Sequence, residues 1–530
     1  MKKIYVIFTV LLFILSVPFL SFARGIGEED AYQGTTRLVV LHTNDTHGHP
    51  LKFFHYPMPD VGGMPARATL VQQVRAECEN VLVLDAGDLN TGRPESNYYK
   101  AIPDIIGLNY IGLDAMTLGN HEFDVLPEVL KMQEQIASFP FLSANVYDLD
   151  GNYLVDPYVI KNFNGLRVGI FGLTTKETEV IGNPTNIEGL IFEDEVTAAK
   201  KIVTQLEPKV DIIIALVHMG IYDNDEMGSR RLAAQVSGID LIVDGHSHTK
   251  LDEALYVNNT PIVQSWMWGL CMGKGVFTIE DGKITDFSWE TIPVNLKKKT
   301  KQADGSSTFT YEAEEIPEDE NLLKLLTPYA ANVETMLAEV IGTATALFPN
   351  EEVRLKETAL GDLVADSMLW YTENLNPDFA IQNGGGIRNS ISPGDISKKA
   401  IYETLPFDNS VMVLHLTGSQ LQELFDFFPS IKRGKGAFPQ FSEGVQVTID
   451  FITGEAKDIT INGEPIDPER TYVITTNSYL AAGGDGYRQM KEASYKYDTS
   501  AFQRDVFIDY IKYLGGSIMP CIEDRITVIE

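Results

Sequence analysis

Eight of the nine histidines lie before residue 250, and only His415 lies after it. Five of those eight follow short apolar runs and lie within three residues of Asp, Asn or Gly. The clusters begin with Asn44-Asp45-Thr46-His47 and Asp85-Ala86-Gly87-Asp88. Gly119-Asn120-His121-Glu122 follows, with Asp124 close behind. Val217-His218-Met219 and Gly245-His246-Ser247-His248 complete the set. Singly, each cluster has a plain structural explanation: Asp45 as a helix N-cap, Asp88 as a turn residue beside Gly, His218 as a satisfied core histidine. Together they offer imidazole nitrogen with carboxylate and carboxamide oxygen. That mixed donor set, at this count, suits two divalent metals and the catalysis such ions support.

The clusters can act as a unit only if the fold brings them to one edge. The apolar runs Leu38–Leu41, Val81–Leu84, Ala115–Leu118, Leu166–Leu173, Ile212–Val217 and Leu241–Val243 read as strands. Helix-length stretches such as Pro127–Ser138 and Asp194–Leu206 separate them, and that alternation predicts an α/β fold. In such a fold, strand ends converge on the edge where ligand sites form. Asn295–Asn321, with its lysine run and the acidic stretch Glu312 to Glu320, reads as a connector. Asn321–Val340 has helical apolar spacing and can bridge two domains. From about Thr343 a second α/β pattern begins, with a helix near Ala359–Tyr371 and strands near Phe379–Gln382 and Tyr472–Thr476.

The formal net charge is −32, from 42 Lys+Arg against 74 Asp+Glu. A chain this acidic is a poor non-specific partner for nucleic-acid polymers or anionic membranes. Lys2 and Lys3, the apolar run Ile4 to Leu20 and Ser21-Phe22-Ala23 form a secretory signal with cleavage after Ala23. The expected location is therefore periplasmic, secreted or cell-surface, with no stable membrane insertion after cleavage. Three cysteines, Cys78, Cys271 and Cys521, are too few for a disulfide framework, although one pair could bridge.

The series Leu41-His42-Thr43-Asn44-Asp45-Thr46-His47, Gly87-Asp88, Gly119-Asn120-His121-Glu122, His218 and Gly245-His246-Ser247-His248 resembles the calcineurin-like metallophosphoesterases. More closely it is similar to the secreted bacterial 5′-nucleotidase and UDP-sugar hydrolase family. The resemblance implies an α/β, two-domain architecture. An N-terminal four-layer metallophosphoesterase β-sandwich flanked by helices spans 37–315, after a signal peptide (1–23) and a flexible lead (24–36). A linker and hinge helix (316–342) joins it to a C-terminal α/β nucleotide-binding domain (343–530). It implies Asp45, His47 and His248 on one divalent ion, Asn120, His218 and His246 on the other, and Asp88 bridging them. The ions would be Zn, Mn, Co, Mg or Fe. Two such ions clamp a phosphoryl group and lower the pKa of a shared water. His121 would stabilise the leaving oxygen, with Asp124 keeping the imidazole oriented and protonated. His42, His49 and His55 receive no role and read as surface-loop residues.

The second half matches the same family. In Asn383-Gly384-Gly385-Gly386-Ile387-Arg388, Asn383, Gly385 and Arg388 match a substrate loop, and three glycines allow close backbone approach. Arg354 matches a further substrate arginine. Phe407 and Tyr479 match aromatics that stack on the two faces of a base, with Asn409 beside them and Asp485 holding the ribose. The activity implied is hydrolysis of 5′-nucleoside monophosphates, with UDP-sugars and nucleoside di- and triphosphates as further candidates. Alternatives are a 2′,3′-cyclic-nucleotide phosphodiesterase/3′-nucleotidase, a sulfur-oxidation hydrolase, or a nucleotide-binding host-interaction protein without turnover. The full set of ligand candidates argues against the last, and the nucleotide clamp against the sulfur hydrolase.

Overall fold

The computed structural model describes residues 34–55, 58–222, 227–302 and 307–530. The signal segment and residues 24–33 of the lead lie outside the described residues. The first strand, Thr35–Thr43, begins two residues inside the expected lead.

Two six-stranded sheets form the first domain. One runs Lys283–Pro293, Cys271–Glu280, Thr35–Thr43, Val81–Asp85, Ala115–Thr117, Phe141–Leu142 in spatial order. The other runs Leu255–Val257, Thr260–Val263, Leu241–Val243, Ile212–His218, Leu166–Thr174, Tyr158–Phe163. Successive side chains of a strand point to opposite faces, and the cores follow that period. Leu38, Val40, Leu82 and Leu84 meet Val168, Ile170, Ile214 and Leu216 between the sheets. Val39, Leu41 and Val83 instead face the helices Met64–Glu77 and Ile102–Ile111. Ile213, Ala215 and Val217 face the helix Glu195–Leu206 on the far side. Helix, sheet, sheet and helix thus make the four layers expected.

The strands Thr35–Thr43, Val81–Asp85 and Ala115–Thr117 are mutually parallel, as are Leu166–Thr174, Ile212–His218 and Leu241–Val243. Their carboxyl ends gather the clusters of interest. Within the expected connector, Lys297–Lys301 pairs with Ser307–Tyr311 as antiparallel strands. Four of the five residues of the lysine strand are exposed, and a charge count reads such a run as linker. Asp319 caps the helix Glu320–Leu337, accepting from the Asn321 and Leu322 amides. Leu322 and Leu326 of this helix belong to the first domain's core.

The second domain is built on a five-stranded sheet, Pro439–Phe441, Phe379–Asn383, Thr471–Asn477, Ser410–Thr417, Tyr495–Phe502. Its helix Ala359–Tyr371 starts at an N-cap Thr358 that accepts from the Gly361 amide. All three cysteines are free, so the pairing left open by the sequence does not occur.

Candidate functional site

Five of the seven expected ligands adopt left-handed backbone: Asp45 (φ 49°), His47 (43°), Asp88 (58°), His246 (75°) and His248 (50°). Non-glycine residues rarely adopt this conformation, and it persists where surrounding structure enforces it. The enforcement here is visible. The amides of Asp45 and His47 donate to Gly87 O and Asp88 O, tying the first loop to the second. The His246 amide donates to Asp45 Oδ1 and Oδ2 at 2.9 and 3.0 Å. The His121 amide donates to Asp88 Oδ1 at 2.9 Å. Glycine is required where these loops touch: a Cβ on Gly119 would lie 2.2 Å from Asp88 Oδ1, and one on Gly245 2.7 Å from His218 Nδ1.

Three groups of ligand atoms gather within 4.8 Å: Asp45, His47 and His248; His47, Asp88 and His121; Asp88, His218 and His246. Asn120 joins the last group, with Oδ1 2.8 Å from His246 Nδ1. His121 therefore also reaches the cluster, although its Nδ1 is engaged by Asp124 Oδ2 at 2.5 Å.

The donor set fits a cation. His218 Nδ1 lies 2.7 Å from Ala86 O, and His47 Nδ1 lies 3.0 Å from Thr91 O. A carbonyl only accepts, so Nδ1 carries the proton and Nε2 presents its lone pair. His218 Nε2 is aimed at Asp88 Oδ2, 3.0 Å away, and His47 Nε2 at His248 Nε2, 3.1 Å away. Lone pairs converging on carboxylates need a positive charge among them. Burial lowers the His218 pKa, but Asp88 and Asp45 outweigh it and push it up to about 10. Burial opposes ionisation of Asp45, yet His248 and His218 hold it down to about 2. A divalent ion answers the same demand.

Glu122 carries no expected function beyond membership of its cluster, yet it has a clear structural part. Fully buried, it accepts from the Gly119, Asp88 and Leu89 amides at 2.7, 2.9 and 2.8 Å. It therefore shapes the Asp88 loop from beneath. Asn44 acts similarly, donating to Asp45 Oδ2 at 2.7 Å and accepting from the Ser265 amide at 2.8 Å.

The three histidines expected on surface loops are placed otherwise. His42 is fully buried within the first strand and accepts from Trp289 Nε1 at 3.1 Å. His49 is buried and stacked on Trp268, with ring centroids 5.2 Å apart. His55 is half-buried in the short strand Phe53–His55. Their tryptophan partners lie far away in sequence, so local polarity misled.

The second domain closes over the cluster. A single cleft of about 1030 Å³ is lined by His47, Asp88, Asn120, His121, His246 and His248 from the first domain. Arg354, Asn383, Gly385, Arg388, Phe407, Asn409, Tyr479 and Asp485 line it from the second. Asn383 Nδ2 and the Tyr479 hydroxyl donate to Asp485 at 2.7 and 3.1 Å. The Gly385 amide donates to Gly436 O at 2.8 Å, and a Cβ on Gly385 would lie 2.9 Å from Gly436 Cα. The Arg388 guanidinium lies 6.0 Å from the Phe407 ring centre. Burial and the Arg388 charge pull the Arg354 pKa down to about 10, so the two cations face a volume suited to an anion.

A four-layer sandwich with a His/Asp/Asn cluster at its strand ends, capped by a second α/β domain, defines a two-domain phosphoesterase. Residues 38–250 match the calcineurin-like phosphoesterase family, and residues 340–492 match the 5′-nucleotidase C-terminal domain. The chain belongs to the 5′-nucleotidase family. It is 36% identical over 511 residues to protein UshA of Escherichia coli (strain K12), covering 90% of this chain and 91% of that protein. It is 36% identical over 513 residues to a 5′-nucleotidase of Vibrio cholerae, covering 90% of each. A 5′-nucleotidase precursor from Thermus thermophilus has the same fold, with TM-score 0.81 and 33% identity over 93% of this chain and 99% of that one.

Proposed function

We propose that this protein is a secreted 5′-nucleotidase that uses two divalent metals to release phosphate from nucleoside monophosphates, and that also accepts UDP-sugars and nucleoside di- and triphosphates. The observation that carries the reading is the meeting of two rings. Phe407 of the second domain stacks 6.0 Å from His121 of the first, so the base clamp adjoins the hydrolytic cluster.

In this reading Asp45, His47 and His248 hold one ion, Asn120, His218 and His246 the other, and Asp88 joins them. Bound metal would polarise the phosphoryl oxygens and lower the pKa of the attacking water. Arg354 and Arg388 hold the remaining phosphate charge. Asn383, Asn409 and Asp485 orient the ribose while Phe407 and Tyr479 hold the base. His121 donates its Nε2 proton toward the departing oxygen, and Asp124 fixes the ring through Nδ1. Residues 37–315 form the hydrolytic unit and 343–530 the nucleotide unit, and the helix between them is the hinge about which the cleft opens.

Secretion rests on the N-terminal signal. Among the described residues, no helix is long and apolar enough to cross a membrane. Sequencing of the mature protein should begin at Arg24.

One assay tests the function. Phosphate release from AMP, UDP-glucose and 2′,3′-cyclic AMP is measured with divalent metal and again with chelator. Release from AMP that stops with chelator supports the reading. Release from the cyclic substrate alone favours the phosphodiesterase, and release from none excludes an enzyme of this class.

A further inference from the structure

Shortly after Asp88 the segment Thr91-Gly92-Arg93 leaves the hydrolytic cluster for the second domain. Its first residues are pinned to the cluster. Thr91 O lies 3.0 Å from His47 Nδ1, and the Thr91 hydroxyl donates to Asp124 Oδ2 at 2.5 Å. Gly92 packs so closely that a Cβ there would lie 1.6 Å from His47 O. Arg93 then crosses the cleft, with Nη1 2.9 Å from Glu403 Oε1. The two side chains are only 11% and 16% exposed, so salt screens this pair little. Arg93 Nε donates to Glu95 Oε1 at 3.2 Å, which steadies the guanidinium from its own domain.

Glu403 lies on the helix Lys398–Thr404, and its second oxygen serves another partner. Asn389 Nδ2 donates to Glu403 Oε2 at 3.3 Å. Asn389 Oδ1 accepts from the Ser390 amide at 3.0 Å, which leaves Nδ2 to donate. One residue earlier, the Arg388 amide donates to Thr404 O at 2.8 Å. The loop that carries Arg388 therefore rests on the end of this helix through both a side chain and its backbone. Both side-chain partners of Glu403 are donors, and only a carboxylate accepts on each side.

Arg388 depends on such support. Its guanidinium lies 6.0 Å from the Phe407 ring centre, and among the described residues no carboxylate pairs with it. Burial lowers its pKa while Asp124, Asp88 and Asp45 oppose the shift, so its charge faces the cluster. Its aim is then set by its backbone. Phe407 has separate anchors within the second domain, because Arg504 Nη1 donates to Phe407 O at 3.2 Å and Nη2 pairs with Asp408 at 2.5 Å.

We propose that Arg93 and Glu403 are positioning residues for phosphate release, and that their ion pair across the cleft holds the Arg388 guanidinium toward the cluster. Arg93 supplies the charge, Glu403 passes its position to Asn389, and Arg388 makes the substrate contact. The inference deepens the 5′-nucleotidase reading above and rests on it.

The test is a double-mutant cycle on the metal-loaded full chain, with kcat and KM measured for AMP. Glu403→Gln keeps the shape but accepts on one side only. It should lower kcat/KM about ten- to a hundredfold, and the loss should persist in added NaCl. Arg388→Met should lose at least as much. The double variant should lose no more than Arg388→Met alone, because Glu403 acts through that side chain. Arg93→Met should repeat the pattern, and Arg93→Lys should recover part of the activity by restoring the charge. Losses that add in full across the cycle, or an unchanged kcat/KM in Glu403→Gln, overturn the inference, while metal-dependent AMP hydrolysis by the wild type leaves the 5′-nucleotidase reading standing. Should Glu403→Gln fail to fold, the cycle of Arg93→Lys with Arg388→Met decides in the same way. A wild type that releases no phosphate from AMP overturns both readings.

Discussion

Lys435 Nζ lies 2.7 Å from Glu177 Oε2 across the cleft, and the same carboxylate oxygen lies 3.5 Å from His246 Nε2. One acid thus joins the second domain to a candidate metal ligand. Lys435 sits in the loop that accepts the Gly385 amide, so the substrate loop and the cluster are linked through a few side chains. Both partners are about a third exposed, so the pair is worth only ~0.2–1 kcal/mol. Lys435→Met should lower kcat/KM for AMP about two- to fivefold at low salt. Added NaCl should bring the wild type down toward the variant, because exposed charges are screened. Parallel salt profiles for the two proteins would show that the contact contributes nothing to closure.

His121 and Asp124 carry a pH prediction. Burial lowers the His121 pKa, but Asp124 and Asp88 outweigh it and raise it above the usual imidazole value. With His121 as the proton donor proposed above, its protonated form is the competent one, and kcat should fall on the alkaline side as that proton is lost. Asp124→Asn removes a raising interaction and should shift this fall to lower pH. A kcat–pH profile with an unmoved alkaline limb would separate Asp124 from the proton. His121→Ala should cut kcat by about 10²–10⁴ with bound metal retained.

The base clamp predicts selectivity between substrates. Phe407→Ala or Tyr479→Ala should lose ~1–3 kcal/mol of stacking for each ring removed. Under the proposed clamp nucleotides depend on that contact and p-nitrophenyl phosphate does not. The kcat/KM for AMP should therefore fall by about five- to 150-fold relative to that for the simple ester. Equal losses on both substrates would mean that the rings only support the fold.

Glu122 shows where sequence reading stops. The ligand candidates were legible because parallel strands deliver their ends to one edge, and each end carries a donor. The alternation of strands with helices announced an α/β fold, while the sandwich came with the family resemblance; in it Leu38 and Val40 face one way and Val39 and Leu41 the other. Glu122 gave no such signal, since apart from the nearby Gly119 amide its backbone partners are the amides of Asp88, Leu89 and Asn90, more than thirty residues away. His42 misled for the same reason, its partner Trp289 being 247 residues distant. Backbone donors and remote aromatic partners leave no mark on local composition. Glu122→Gln should turn a side-chain donor toward amides that need an acceptor, at a cost of ~1–3 kcal/mol. Thermal unfolding should show a lower Tm, and metal analysis should show partial loss of metal. A variant with unchanged metal content would separate the Asp88 loop from Glu122.

Asp362 sets a stability prediction far from the cluster. It is buried on the helix Ala359–Tyr371. Burial pushes its carboxyl up to about 9, with Arg525 opposing and Glu357 and Asp366 adding to the rise. The unfolded carboxyl titrates near ~4. Between those values the native protein holds a proton that the unfolded chain has released. Stability must then decline as pH rises through this window, with a slope of about 1.4 kcal/mol per pH unit where the difference is one full proton. Asp362→Asn keeps the shape and removes the titration. Urea midpoints measured at about pH 5 and about pH 8 should fall in the wild type and change less in the variant. At the higher pH the variant should be the more stable of the two, because its unfolded chain no longer gains from ionising a carboxyl that the fold keeps protonated. Equal falls in both proteins would place the pH dependence elsewhere in the fold.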